Sequence, residues 1–191
     1  MWTTLIAAIA ALMALSPGAH RSATPPTAAP EPAAPLSPEE LRKTIETYLN
    51  SIDIPISPAR WQALGPAAAP QLEQVLDDPQ AFPTRRAKAL DGLISAAPER
   101  AAPRLARLAQ SEDEPIVVRV SALHGATRLL PPHQLMAALK PVLQSAKQPG
   151  LRASAADLLA RHGRSAGCQA VRAQAAREEK GAFDRALQHC E

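Results

Sequence analysis

Three residues invite a chemical reading before any other: Asp91, His124 and Asp157, spaced by 33 residues in each step. Two carboxylates and an imidazole are the groups of a metal site or of an acid–base pair. They belong to a longer polar pattern. Lys88, Asp91 and Ser95 are followed by Ser121, His124 and Arg128, then by Ser154, Asp157 and Arg161, each set at i, i+3, i+7. On a helix that spacing puts each set on one face. Other chemistry is absent from the string: it contains no phosphate-cradling glycine loop, no G-x-S-x-G elbow and no H-E-x-x-H.

The elements that must carry these residues follow from a repeat. Arg86-Ala87-Lys88-Ala89-Leu90 is answered by Arg119-Val120-Ser121-Ala122-Leu123 and by Arg152-Ala153-Ser154-Ala155-Ala156. The arginines are 33 residues apart, and a further step lands on Arg185. The segments ahead of them repeat as well, Pro70-Gln71-Leu72 matching Pro103-Arg104-Leu105, while Lys140-Pro141-Val142 has slipped. A fixed period of this size marks stacked supersecondary units. Each period holds two apolar-periodic stretches, marked in the first by Leu72, Val75 and Leu76 and then by Leu90, Leu93 and Ile94. Pro83, Pro115 and Pro149 stand where the second helices begin, and a proline there gives up no hydrogen bond. The composition agrees: 46% hydrophobic, mostly Ala and Leu, but only 3% aromatic, which favours helices over sheet.

Ser37-Pro38-Glu39-Glu40 reads as a capping box opening a first helix, with Leu41, Ile45 and Leu49 as its apolar face. Ser57-Pro58 opens another, where Trp61 and Leu64 pack. The last, degraded unit is expected as helices over about 167–178 and 182–190 with Gly181 in the turn. The chain then runs out and back by nearly equal lengths, so Cys168 and Cys190 meet at the open end and form a disulfide. Such a bridge contributes about 3 kcal/mol in the chain-entropy model and persists in oxidising compartments.

Helix pairs of this length, with an early Arg followed by Ala and Leu in the second helix, resemble the HEAT-repeat family in its short bacterial form. The resemblance implies an all-α fold: a right-handed α-solenoid of antiparallel helix pairs, with repeats about 66–96, 99–130 and 132–163 and a capping repeat at 166–191. It implies that Asp113 pairs with Arg119 to link neighbouring turns, and that Arg86 and Arg152 occupy the equivalent structural position. It also implies that the second helices, and with them Lys88, Asp91, His124, Arg128, Asp157 and Arg161, line a partner-binding surface.

Stacking spaces these residues. Packed helices lie about 8–10 Å apart, so Asp91 and Asp157, two units apart, stand roughly 16–20 Å apart, whereas zinc ligands sit about 2 Å from one metal. No metal, cofactor or catalytic residue is expected on this ladder. A net charge of +3 and so few aromatics are not the footprint of a nucleic-acid binder.

The reading is of a non-enzymatic scaffold that binds a protein or peptide and is monomeric by itself. Two alternatives stand beside it: a chromophore lyase or chaperone, which the resemblance alone raises, and a membrane-tethered structural spacer of an envelope complex. The apolar run Leu5–Leu15 is shorter than a membrane span and fits a signal peptide over 1–19, or an anchor if it is left uncleaved. A Pro/Ala-rich linker follows over 20–36, ahead of the folded part at 37–191. An exported protein is expected, periplasmic or extracellular, or tethered to the inner membrane if the leader stays.

Overall fold

The computed structural model describes residues 36–52 and 54–191. The expected leader and all of the linker but Leu36 lie outside these residues. Every regular element among the described residues is helical. In chain order they are α1 (Pro38–Asn50), α2 (Pro58–Leu64), α3 (Ala69–Asp77), α4 (Pro83–Ala96), α5 (Pro98–Gln110), α6 (Ile116–Leu129), α7 (Pro132–Ser145), α8 (Pro149–His162), α9 (Arg164–Ala175) and α10 (Asp184–Gln188). A single 3-10 turn, Pro66–Ala68, leads into α3. No helix among the described residues is long and apolar enough to cross a membrane.

Local chemistry sets the starts. Ser37 Oγ accepts from the Glu40 N–H at 3.3 Å, and the Glu40 carboxylate accepts from the Ser37 N–H at 2.9 Å. Two backbone donors that the helix cannot use are thereby satisfied. Ser57 caps α2 through the Arg60 N–H. Pro83 and Pro149 occupy the first turns of α4 and α8, and Pro115 caps α6. The repeat does not extend to the starts of the first helices. Pro70 sits in the first turn of α3, but Pro103, its counterpart, lies inside α5, because α5 begins five residues earlier, at Pro98. Pro103 is exposed, so the carbonyl it leaves without an amide partner is on the wet side.

The helices pack in neighbouring pairs: α3 with α4, α5 with α6, and α7 with α8. The second helices also touch in sequence, α2 to α4 to α6 to α8 to α10, and the first helices touch from α5 to α7 to α9. One core runs through all of them. Its residues obey the period: Leu90, Leu123 and Ala156 are fully buried, as are Leu93, Ala126 and Leu159. At the second set the sizes alternate, Leu, Ala, Leu, along the run of second helices. Glycine deepens the contact between second helices. A Cβ on Gly125 would come within 2.5 Å of Ile94 Cδ1, and one on Gly92 within 3.0 Å of the Trp61 ring. Trp61 is 3% exposed and meets Tyr48 edge-on, with ring centroids 5.1 Å apart.

The arginines that mark the period have one job. Arg86 Nε donates to the Leu76 carbonyl at 2.8 Å, Arg119 Nε to Ala109 at 3.0 Å, and an Arg152 terminal nitrogen to Ala146 at 2.8 Å. Each acceptor is at the C-terminal end of the preceding first helix, where carbonyls lack amide partners and the dipole favours a cation. The same guanidinium then reaches onward. Arg86 meets Glu114 at 2.7 Å, Arg119 meets Gln148 at 3.1 Å, and Arg152 meets both oxygens of Glu178 at 2.7 Å. The carboxylate at Arg119 is Glu112, at 2.7 Å, and not the Asp113 expected from the resemblance. The turn before α6 aims Glu112 at the guanidinium and leaves Asp113 in solvent. Hydrogen bonds from these arginines hold the carboxyls of Glu112 and Glu178 below the usual carboxylate range.

The last unit is shifted from its expected bounds. The helix α9 runs over 164–175 instead of 167–178, and α10 covers only 184–188. Gly167 sets this register: its Cβ position is 2.1 Å from the Leu159 carbonyl oxygen, so α9 can lie against the end of α8 only where it presents no side chain. Gly181 takes φ 90° in the turn before α10, a conformation open to glycine. The Cys168 and Cys190 sulfurs are 2.04 Å apart, at disulfide distance.

Candidate functional site

The second helices present two clefts. The larger, about 450 Å³, lies over α2, α4 and α6. Its apolar side is Ile56, Pro58, Trp61, Ile116, Val117 and Val120; its polar side is Asp91, Ser95, Ser121, His124 and Arg128. The smaller, about 380 Å³, lies over α6, α8 and α10 and includes His124, Ser154, Asp157, Phe183 and Arg185. His124 lines both, so the two clefts meet at one side chain.

The i, i+3, i+7 spacing accounts for the polar side. On α4 it turns Asp91 and Ser95 to the same face, and on α6 it turns Ser121, His124 and Arg128 toward them. Ser121 Oγ donates to Asp91 Oδ1 at 2.7 Å. Arg128 donates to Ser95 Oγ at 3.5 Å, while Ser95 Oγ donates to the Asp91 carbonyl at 3.0 Å. The Asp91 side chain reaches solvent through the mouth of the cleft, yet protein crowds its carboxyl. That partial desolvation pushes its pKa up against the opposing pull of Ser121, Arg128 and His124.

Lys88 does not join this set. Its ammonium donates to the Ser51 carbonyl and ties α4 to the connection after α1. Asp157 and Arg161 are also engaged within the molecule. Arg161 Nε lies 3.1 Å from Asp157 Oδ2, Arg185 Nε 3.3 Å from Oδ1, and His189 Nε2 3.6 Å from Oδ1. Arg185, the fourth arginine of the period, therefore closes α10 onto α8 instead of clamping a helix end. Asp91 and Asp157 thus stand in separate clefts, with His124 between them. No group of His, Cys, Asp and Glu among the described residues could hold a metal ion.

Ser121, His124 and Asp91 bring a hydroxyl, an imidazole and a carboxylate into one cleft, a set that invites comparison with nucleophilic catalysis. The hydrogen-bond order differs from what such catalysis requires. The Ser121 proton points at Asp91 directly, and among the described residues no hydrogen bond joins Ser121 to His124. An activated hydroxyl needs the imidazole as its acceptor and the carboxylate behind the imidazole. The arrangement sets polar groups and apolar residues together in one cleft.

No family model, curated protein or solved structure matches this chain. The clefts themselves are therefore the ground for a functional reading. Their apolar half was not singled out by sequence reasoning. Ile116 and Val117 are 51% and 41% exposed, at the start of α6, where the equivalent positions of the repeat, Pro83 and Thr84, are exposed as well. The available signal was four consecutive apolar residues, Pro115 to Val118, of which one helix face can bury only part.

Proposed function

We propose that residues 37–191 form a HEAT-like, right-handed α-solenoid of antiparallel helix pairs in an exported, non-enzymatic scaffold, and that its second-helix face binds a protein or peptide. The observation that carries this reading is the pair of clefts joined at His124. A track that crosses α2, α4, α6, α8 and α10 is suited to an extended partner, because each unit adds its own contacts to a continuous surface. The hydroxyl-to-carboxylate bonding order within the larger cleft favours binding over catalysis. The cysteine pair supports export, since such bonds persist outside reducing compartments.

The test is selection of peptides from an unbiased displayed library on the full chain, with affinities read by calorimetry. His124→Asp combined with Val117→Asp changes two accessible positions, so its melting temperature should stay within a few degrees of the parent. Selected peptides should lose roughly tenfold or more in affinity for it. Peptides that bind the parent and the variant equally would remove the second-helix face from the proposal.

A further inference from the structure

Asp91 and Arg128 are charges of opposite sign in one cleft, close enough for Arg128 to act on the carboxyl yet not joined in an ion pair. Each is met by a neutral hydroxyl, Ser121 at Asp91 and Ser95 at Arg128. Among the described residues neither takes part in an ion pair. Internal ion pairs are otherwise common here: Arg86, Arg119, Arg152 and Arg161 all have carboxylates. The cleft keeps two charges outside any ion pair, on the same lining as the exposed Ile116 and Val117.

We propose that the larger cleft takes an extended peptide segment in which a large apolar side chain is followed by a cationic and then an anionic one. This rests on the peptide-binding reading of the second-helix face and specifies its ligand. The apolar side chain covers Ile116 and Val117, the cation meets Asp91, and the carboxylate meets Arg128. A segment bearing cations alone would satisfy Asp91 and repel Arg128, and an acidic segment would do the reverse. Only a segment of mixed sign meets both while its apolar residue covers the wall. Along α6 the exposed Ile116 and Val117 come first, Ser121 with its bond to Asp91 next and Arg128 last. In an extended chain alternate side chains share a face, so the three groups fit an apolar-x-cationic-x-anionic order. Desolvation of the Asp91 carboxyl gives it more to gain from a cation than a fully hydrated carboxylate would have.

The probes are short fluorescein-labelled peptides containing Phe-Ala-Lys-Ala-Glu, the same groups run in reverse as Glu-Ala-Lys-Ala-Phe, and versions with Lys at both charged positions, Glu at both charged positions, or Ala for Phe. Binding to the full chain is read by anisotropy. One mixed-charge peptide should bind more tightly than every control. Asp91→Lys should weaken it by roughly fivefold, and the peptide with Glu at both charged positions should recover the loss on that variant. Should Asp91→Lys fold poorly by circular dichroism, Asp91→Asn takes its place: it should weaken binding of the mixed-charge peptide and leave the peptide with Glu at both charged positions unchanged. Equal binding of the like-charged peptides overturns the charge assignment and leaves the broader face intact. Failure of all the peptides at millimolar concentration overturns this ligand class, while the library selection decides the face independently.

Discussion

Asp91 and Asp157 hold the same place in the 33-residue repeat and have opposite fates. Asp91 sits in the larger cleft beside a serine and pairs with no cation among the described residues. Asp157 is surrounded by Arg161, Arg185 and His189, two of which come from the terminal segment folded over α8. One unit presents its carboxylate; the other uses the same carboxylate to fasten the end of the chain. Position in a repeat fixes which way a side chain faces. Whether that side chain stays available depends on what the neighbouring unit places in front of it.

The fastening of the closed end gives the largest expected effect. Replacing Cys168 and Cys190 by Ser should cost about 3 kcal/mol for a loop of this size, read by chemical denaturation. Hydrogen exchange should show α9 and α10 losing protection first, with the open cleft over α4 and α6 little changed. Gly167→Ala attacks the same end through sterics. Its Cβ would meet the Leu159 carbonyl oxygen, a backbone atom that cannot rotate away, so a loss of about 2–3 kcal/mol is expected. Gly92→Ala is its counterpart at the open cleft, where a Cβ would press on the Trp61 ring at 3.0 Å. Alanine gains roughly 1 kcal/mol over glycine inside a helix, which offsets this crowding, so stability should stay within about 1 kcal/mol of the parent while the near-ultraviolet dichroism of that ring changes.

Acid sharpens the contrast with smaller effects. Glu178 is held below its ordinary pKa by Arg152 and then by Gln174. Its folded value is depressed, so its stabilisation is present above the unfolded carboxylate pKa and is lost as pH falls through the folded value. Glu178→Gln should therefore flatten the acid limb of a melting-temperature profile below about pH 4.5. Asp91 has the opposite sign. Crowding raises its folded pKa, so any stability tied to its protonated form is present at low pH and lost as pH rises through that value. Asp91→Asn should leave stability at neutral pH unchanged or slightly raised, because solvent at the mouth of the cleft screens the carboxylate, and weaken binding of a cationic peptide. A site kept for recognition rather than for stability behaves in this way.

The helices and much of the core were legible in the sequence because both depend on periodicity. Leu90 and Leu93 recur at 33-residue intervals as buried residues, and the prolines mark where second helices start. The marker arginines were legible as a set, but their partners were not. A shift of one residue in an exposed turn exchanges Asp113 for Glu112, and periodicity carries no information at that scale. Pro103 and Gly167 mark where the pattern stops governing helix bounds, because a neighbouring backbone decides there instead. The site was half legible. Asp91, His124 and Arg128 emerged from their spacing, yet the apolar lining that shares their cleft is assembled from α2 and the start of α6, which no single helix face predicts.

The arginine chain has a consequence for how such a molecule lengthens. Arg86 and Arg119 each bind backward to a helix end in their own unit and forward to a side chain in the next, so a middle module carries one outgoing and one incoming connector. Arg185 has left that series to secure α10. An extra copy of a central module would arrive with matching connectors at both edges, whereas one set against α10 would meet Arg185 already turned to Asp157. Duplication of the clamped units preserves the series of connectors.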